Sequence, residues 1–172
     1  MLSVKQWGFG ATYPPSGTPV SETDTTYANV NGTACGPDSA IVNEPCQSTT
    51  FSSGTKVSQT TYVYTAAGHL TTPSEWVSPS MTLSTAATYN SNGTIESLAD
   101  VNGALTNYRY DGTGGCNALL LTSTDLPVAP LTTSQTWNCT GGVLTSSMDP
   151  NSQVTQYGYV DQSGVPDPAF GD

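Results

Sequence analysis

Residues 89–111 read YNSNGTIESLADVNGALTNYRYD, and residues 137–161 read WNCTGGVLTSSMDPNSQVTQYGYVD. Matching residues of the two stretches are separated by a constant offset of 49, namely Gly93 and Gly142, Asp100 and Asp149, Asn102 and Asn151, Thr106 and Thr155, and Tyr108 and Tyr157. Self-similarity at a fixed period is typical of structural units that bury a core only when they stack together. The pattern therefore favours a scaffold over an enzyme.

Alternation within each copy predicts β-strands. Thr106, Tyr108 and Tyr110 would share one face of a strand, and residues 155–159 repeat the pattern. Turn chemistry separates the strands at Gly93, Asp100, Asn102, Gly103, Gly142, Asp149 and Asn151. A degenerate third copy runs from Tyr62 to Gly68. Since no stretch has a helical period, we expect an all-β fold of consecutive antiparallel hairpins, with a repeat core made by the aromatic residues Tyr62, Tyr64, Tyr89, Tyr108, Tyr110, Trp137, Tyr157 and Tyr159.

The ordered set Tyr…Gly-x-Ile/Leu…Asp-x-Asn-Gly…Thr-x-Tyr-x-Tyr-Asp resembles the YD repeats of Rhs proteins, toxin-complex shells and teneurins. The best match runs from Gly93 to Asp111, and the second, from Gly142 to Asp161, places Val160 before its Asp. The resemblance covers residues 61–164. It implies an extended, spiralling sheet with a structural role in a bacterial extracellular or cell-surface protein. We therefore divide the chain into a Ser/Thr/Pro-rich segment with short edge strands (1–60) and a YD-repeat hairpin region (61–172).

The four cysteines fall into two local pairs. Cys35 and Cys46 lie in a region rich in turn residues, while Cys116 precedes a predicted strand at 119–121 and Cys139 ends the next strand candidate. A hairpin would bring the latter two together, so we expect disulfides Cys35–Cys46 and Cys116–Cys139, each worth about 3 kcal/mol. Zinc is the weaker alternative, because no Cys-x-x-Cys spacing occurs and His69 is the only histidine. Disulfides indicate an oxidising, extracellular compartment.

Charge limits the partners of this chain. Only 9% of the residues are charged, and 3 Lys plus Arg against 13 Asp plus Glu give a net charge of −10. Phosphate backbones and anionic membrane surfaces are therefore disfavoured as partners. No apolar run approaches the length of about 20 residues that a membrane-spanning helix needs, so we expect no membrane span.

Candidate reactive residues are few and scattered. His69 is the only histidine that could act as a general base for a nucleophile. The Asp and Glu residues are scattered singly along the sequence, without the pairing that glycosidase chemistry needs. Asp100 and Asp149 recur at equivalent positions, which favours a role in turns over catalysis. The same segments resemble parts of calcium loops, but they lack the distal bidentate acid. We expect no catalytic residue, no metal site and no cofactor.

These observations predict a non-enzymatic extracellular structural protein. So few repeats leave open strand edges, and we expect other copies of the chain to pair with them and form a fibre. One alternative is a fragment of a Rhs-like toxin-encapsulating shell, whose edges the rest of a longer chain would complete. Another is a carbohydrate-binding adhesin module, in which the tyrosines would stack on sugar rings.

Overall fold

The computed structural model describes residues 1–8, 10, 15–27, 44–111, 114–160 and 164. Within these residues the fold has no helix, and thirteen strands form two antiparallel sheets of six and seven strands. The predicted all-β class of consecutive antiparallel strands is confirmed. The chain divides into two compact units, residues 1–87 and 88–172.

The first sheet is a meander in which each strand pairs with its neighbours in the chain. Its order in space is the order in sequence, so every connection joins two adjacent antiparallel strands. The strands are β1 (Leu2–Gln6), β2 (Ser21–Tyr27), β3 (Pro45–Ser52), β4 (Thr55–Tyr64), β5 (Leu70–Ser78) and β6 (Met81–Ser84).

Polar β-branched residues build much of this sheet. Strand β2 reads SETDTTY and contains no aliphatic residue, yet it pairs along its whole length with β3. Threonine suits the pleated backbone, and its hydroxyl can bond across strands, as between Thr23 and Thr50 at 3.4 Å. Strand β2 therefore forms without the alternation of apolar and polar residues that usually marks a strand.

The apolar core of the first sheet is small. Among the described residues, the buried hydrophobic residues are Cys46, 1% exposed, and Tyr64, 7% exposed, with Tyr62 and Leu70 packed against them. The Tyr64 hydroxyl donates to the carbonyl of Pro45 at 2.8 Å, and burial raises the pKa of this phenol. Both edge strands, β1 and β6, are exposed at every residue.

The second sheet is also a meander, with the spatial order running from the last strand to the first. Its strands are β7 (Ala86–Tyr89), β8 (Ile95–Ala99), β9 (Leu105–Arg109), β10 (Ser123–Asp125), β11 (Thr132–Asn138), β12 (Val143–Met148) and β13 (Val154–Gln156). The predicted strand at 119–121 is wrong, because residues 114–120 form turns and a bend and β10 begins only at Ser123.

Four hairpins share one five-residue turn. In each, the first residue donates its N–H to the carbonyl of the fifth at 2.8–3.1 Å, and the fourth donates to the carbonyl of the first at 2.9–3.0 Å. The fourth residue has a positive φ of 65–89° in all four turns. This is the geometry of a type I turn followed by one left-handed residue. The turns span residues 65–69, 90–94, 100–104 and 149–153.

The sequence-based boundary near residue 60 falls inside β4, which pairs with strands on both sides. The first compact unit ends instead at Ala87, within β7. The boundary near residue 60 marks where repeat-like sequence begins, whereas the boundary in β7 marks where the packing of the first unit ends.

Candidate functional site

The aspartates at the two matching turns have the same hydrogen bonds. Asp100 Oδ1 accepts from the N–H groups of Asn102 at 2.8 Å and Ala104 at 2.9 Å. Asp149 Oδ1 accepts from Asn151 at 2.8 Å and Gln153 at 2.9 Å. Each carboxylate therefore closes its own turn by satisfying two backbone donors, which is the arrangement of an Asx-turn.

The matching glycines lie in turns of different length. Gly93 and Gly142 have φ values of 87° and 66°. Gly93 donates its N–H to Asn90 three residues back, whereas Gly142 donates to Asn138 four residues back. Asn138 pairs with Val143, so the second turn holds one residue more.

The tyrosine pair after the Asp100 turn (Tyr108 and Tyr110) and the pair after the Asp149 turn (Tyr157 and Tyr159) differ in their hydroxyl contacts. Tyr157 lies 3.2 Å from Ser147 Oγ, and Tyr159 donates to the Leu144 carbonyl at 2.9 Å. For Tyr108 and Tyr110, no hydroxyl partner is found in the described part of the chain. The second pair is therefore held by its own sheet, and the hydroxyls of the first pair make no such bond there.

Tyr108 and Tyr110 line a cleft of about 390 Å³ within the second unit. Both rings are half-buried, and burial raises the pKa of Tyr110, with Tyr108 contributing less. The Tyr110 phenol is thus neutral near pH 7 and can donate or accept hydrogen bonds. The remaining lining residues are Asn90, Ser91, Asn92, Glu96, Arg109 and Ala118.

One wall of the cleft belongs to an unusual loop. Cys116, Asn117 and Ala118 have positive φ values of 52°, 63° and 61°, a left-handed run without glycine. Each such residue costs about 1–2 kcal/mol relative to a right-handed conformation. Gly115 precedes this run, and an added Cβ there would lie 2.6 Å from the Leu120 carbonyl oxygen. The loop is therefore a strained conformation that its surroundings must hold.

One disulfide and three hydrogen bonds hold the loop. The Cys116–Cys139 disulfide joins it to the end of β11, which confirms the predicted pairing. Asn92 donates its side-chain amide to the Ala118 carbonyl at 2.8 Å. Leu119 and Leu120 both donate N–H to the Gly115 carbonyl, at 2.9 and 2.8 Å. The wall is thus preformed by the protein's own bonds.

An ion pair lies beside the cleft. Arg109 Nε donates to Asp125 Oδ2 at 2.9 Å, and the Thr132 hydroxyl donates to the other carboxylate oxygen at 3.1 Å. The hydrogen bonds from Arg109 hold the pKa of Asp125 below its ordinary value. Both groups are accessible to solvent, so the pair orients Arg109 more than it stabilises the fold.

The remaining predicted residues lie at separate places. Tyr62 and Tyr64 belong to the small core of the first sheet, Tyr89 ends β7, and the Trp137 indole donates to the Leu121 carbonyl at 2.7 Å. The predicted disulfide between Cys35 and Cys46 involves Cys35, which lies outside the described residues. Within the described ranges, no cluster of three or more His, Cys, Asp and Glu residues lies together. None of the described residues forms a helix long and apolar enough to cross a membrane.

Sequence patterns offer no direct signal for Glu96, Asn92 and Ala118 as members of one site. The register of β8 and β9 brings Glu96 beside Tyr108, whereas Asn92 and Ala118 come from a turn and a loop. The one hint is that Glu96 occupies a repeat position where the second copy has Thr145.

Comparison of the chain with protein-family models and with curated proteins gives no match.

Proposed function

We propose that this chain is a non-enzymatic, extracellular structural protein of YD-repeat type that assembles with copies of itself through open strand edges. The observation that carries the proposal is the state of β1 and β6. Both are edge strands of one sheet, and both are exposed at every residue. Open edges of this kind are templates for pairing with another chain.

Strand direction allows the sheet to continue from copy to copy. In an antiparallel meander of six strands, the first and last run in opposite directions. A second copy displaced along the sheet therefore places its β1 antiparallel to β6 of the first. The new pair has the same hydrogen-bonding pattern as every other pair in the sheet.

Apolar side chains on the two edges complement each other. One row of directly paired residues runs from Leu2 through Thr25, Ser48, Thr60 and Glu75 to Leu83, and so places Leu2 and Leu83 on the same face. Leu2 is 52% exposed, and Leu83 is 41% exposed. Edge pairing between copies brings such residues side by side, where cross-strand contacts are worth about 0.2–1 kcal/mol each.

The repeat geometry supports the YD-repeat assignment, and that assignment in turn implies a spiralling sheet. The turns at Asp100 and Asp149 have matching side-chain and backbone hydrogen bonds at an offset of 49 residues. The Cys116–Cys139 disulfide supports an extracellular location, because such bonds persist in oxidising compartments.

The proposal is tested by placing one lysine on the edge. Val4→Lys charges β1, and lysine on an edge strand opposes edge-to-edge pairing. Val57→Lys is the matched control, since Val57 is exposed to a similar extent, 51% against 55%, but lies on the internal strand β4. Negative-stain electron microscopy and sedimentation velocity of the non-reduced protein should give filaments for the wild type and the control, and small particles for Val4→Lys.

Two outcomes would contradict self-assembly. One is a wild-type protein that stays monomeric at every concentration, which would favour the alternative of a shell fragment completed by a longer chain. The other is filaments that Val4→Lys leaves intact, which would place the contact elsewhere.

A further inference from the structure

The two tyrosine pairs are the same motif in two different states. Tyr157 and Tyr159 direct their hydroxyls to Ser147 and to the Leu144 carbonyl. Tyr108 and Tyr110 line the cleft, with no hydroxyl partner in the described part of the chain. If the tyrosines served only to hold the sheet together, both pairs would be expected to make such internal bonds. The first pair is available to a ligand.

Charged residues distinguish the first copy as well. At an offset of 49, Glu96 corresponds to Thr145 and Arg109 corresponds to Gly158. Thr145 bonds across strands to Thr136 at 2.8 Å, whereas Glu96 is exposed and lines the cleft. Only 9% of the residues in this chain are charged, yet the cleft has the carboxylate of Glu96 close to the phenols of Tyr108 and Tyr110.

The protein's own bonds hold the wall of the cleft at Ala118. Ala118 is fixed by the disulfide at Cys116 and by the amide of Asn92, whose Oδ1 also accepts from the Thr94 N–H at 3.2 Å. Strain held in a preformed wall is common where a protein keeps a binding surface ready.

We infer that the cleft lined by Tyr108, Tyr110 and Glu96 binds a neutral saccharide of one or two rings. Tyrosine rings offer flat apolar faces for the C–H side of a sugar, and the phenols and the carboxylate provide donors and acceptors for its hydroxyls. A volume of about 390 Å³ is at the small end of ligand sites, which limits the ligand to a short saccharide.

Other ligand classes fit the lining less well. The polar residues Asn90, Ser91, Asn92 and Glu96 disfavour an apolar molecule. Arg109 also lines the cleft, but its charge is paired with Asp125, so Glu96 and the net charge of −10 disfavour a polyanion. A cation would use the rings and the carboxylate but would form no hydrogen bond with the two phenol hydroxyls. A ligand with several hydroxyl groups uses all three side chains.

The test is a titration of the whole, non-reduced chain with maltose, lactose and cellobiose, monitored by amide chemical shifts in ¹H–¹⁵N spectra. Every protein in this titration carries Val4→Lys, which lies on β1 in the first unit and is expected to keep the chain unassembled. At least one sugar should shift the amides around residues 90–96 and 108–110 and leave residues 154–159 unchanged. Tyr108→Phe and Glu96→Gln should each weaken the binding about tenfold, while Tyr157→Phe, which removes the equivalent hydroxyl of the second copy, should leave it unchanged.

Melting curves separate binding from folding. Tyr108→Phe and Glu96→Gln should melt as the wild type does, so a lost titration with an unchanged melting temperature supports the site. Equal loss of binding in Tyr108→Phe and Tyr157→Phe would overturn it, as would the absence of shifts at residues 90–110 with every sugar. Shifts produced by spermidine and by no sugar would also overturn the saccharide assignment. Assembly is measured separately, so failure of either proposal leaves the other intact.

Discussion

The hairpin that begins at Asp100 and the hairpin that begins at Asp149 have the same turn but are followed by strands with different roles. The carboxylate hydrogen bonds have the same lengths in both turns, yet the tyrosines that follow bond to their own sheet in one copy and line a cleft in the other. Backbone donors in a tight turn must be satisfied wherever the turn occurs. A surface tyrosine hydroxyl can bond to water, so its position is free to diverge between repeats.

The largest expected effect concerns the disulfide that links the two repeats. Replacing both Cys116 and Cys139 with Ser opens a loop of 23 residues and should lower the free energy of unfolding by about 3 kcal/mol. Amide exchange at Leu119 and Leu120 should accelerate, because the left-handed run loses its main anchor. Denaturant unfolding of the non-reduced protein measures the loss. A change below about 1 kcal/mol would show that the hydrogen bonds hold the loop alone.

Exchanging the left-handed residues of the two turns should give effects of opposite sign. Gly103 has a φ of 79°, and Ser152 occupies the same turn position with a φ of 65°. Gly103→Ser should destabilise the protein and Ser152→Gly should stabilise it, each by about 1 kcal/mol, because only glycine adopts this conformation without a steric cost. A Cβ at Gly103 meets nothing within 4 Å, so the effect comes from the backbone alone.

Thermal unfolding of the two single variants and of the double variant checks this exchange. The double variant should melt close to the wild type, since the two turns share no partner and their effects should add. Shifts of the same sign in both single variants would contradict the equivalence of the turns.

Removing one hydroxyl from each tyrosine pair sharpens the contrast further. Tyr159→Phe breaks the bond to the Leu144 carbonyl and should lower stability by about 0.5–1.5 kcal/mol. Tyr110→Phe removes a hydroxyl that lines the cleft and should change the free energy of unfolding by much less. Urea unfolding of the two variants under identical conditions provides the measurement. Equal losses would mean that the Tyr110 hydroxyl has a partner within the fold.

The smallest expected effect is a pH dependence at Arg109. Hydrogen bonds from Arg109 lower the pKa of Asp125 from its ordinary value of 3.8, so this pair contributes stability above that value and loses it as the pH falls through the lower, folded pKa. Arg109→Gly, which introduces the residue of the second copy, should move the Asp125 pKa back towards 3.8. A carboxyl titration by NMR follows Asp125 directly. An unchanged titration in the variant would assign the lowered pKa to Thr132 instead.

The extent to which the sequence predicts the structure differs between turns, strands and site. Alternating residues predict the all-β class, and the local spacing of the cysteines predicts the Cys116–Cys139 pair, because both are properties of short segments. They fail at residues 119–121, where three leucines suggest a strand but Gly115 and the left-handed run that follows it form a turn. They also underestimate the strand content before residue 60, since β2 has threonine where an aliphatic residue would mark a buried face.

The cleft could not be predicted from the sequence, for a physical reason. Tyr108 is adjacent to Glu96 through strand pairing, and Ala118 reaches the site through a loop whose backbone angles non-glycine residues rarely adopt. Neither the position of Glu96 beside Tyr108 nor the position of Ala118 can be predicted from residue spacing along the chain. A difference between otherwise matching repeats, such as Glu96 against Thr145, is the signal that a sequence can offer for such a site.

The proposed pairing of β1 in one copy with β6 in the next has a consequence for filament growth. The two edges of the first sheet are different strands, β1 and β6, so a contact between copies would join two unlike surfaces. Such a head-to-tail contact does not close into a two-fold dimer, so further copies can keep adding. A filament built this way is polar: one end presents Leu2–Gln6 and the other presents Met81–Ser84. A peptide that copies Leu2–Gln6 would block growth at the β6 end alone and leave the opposite end free to elongate.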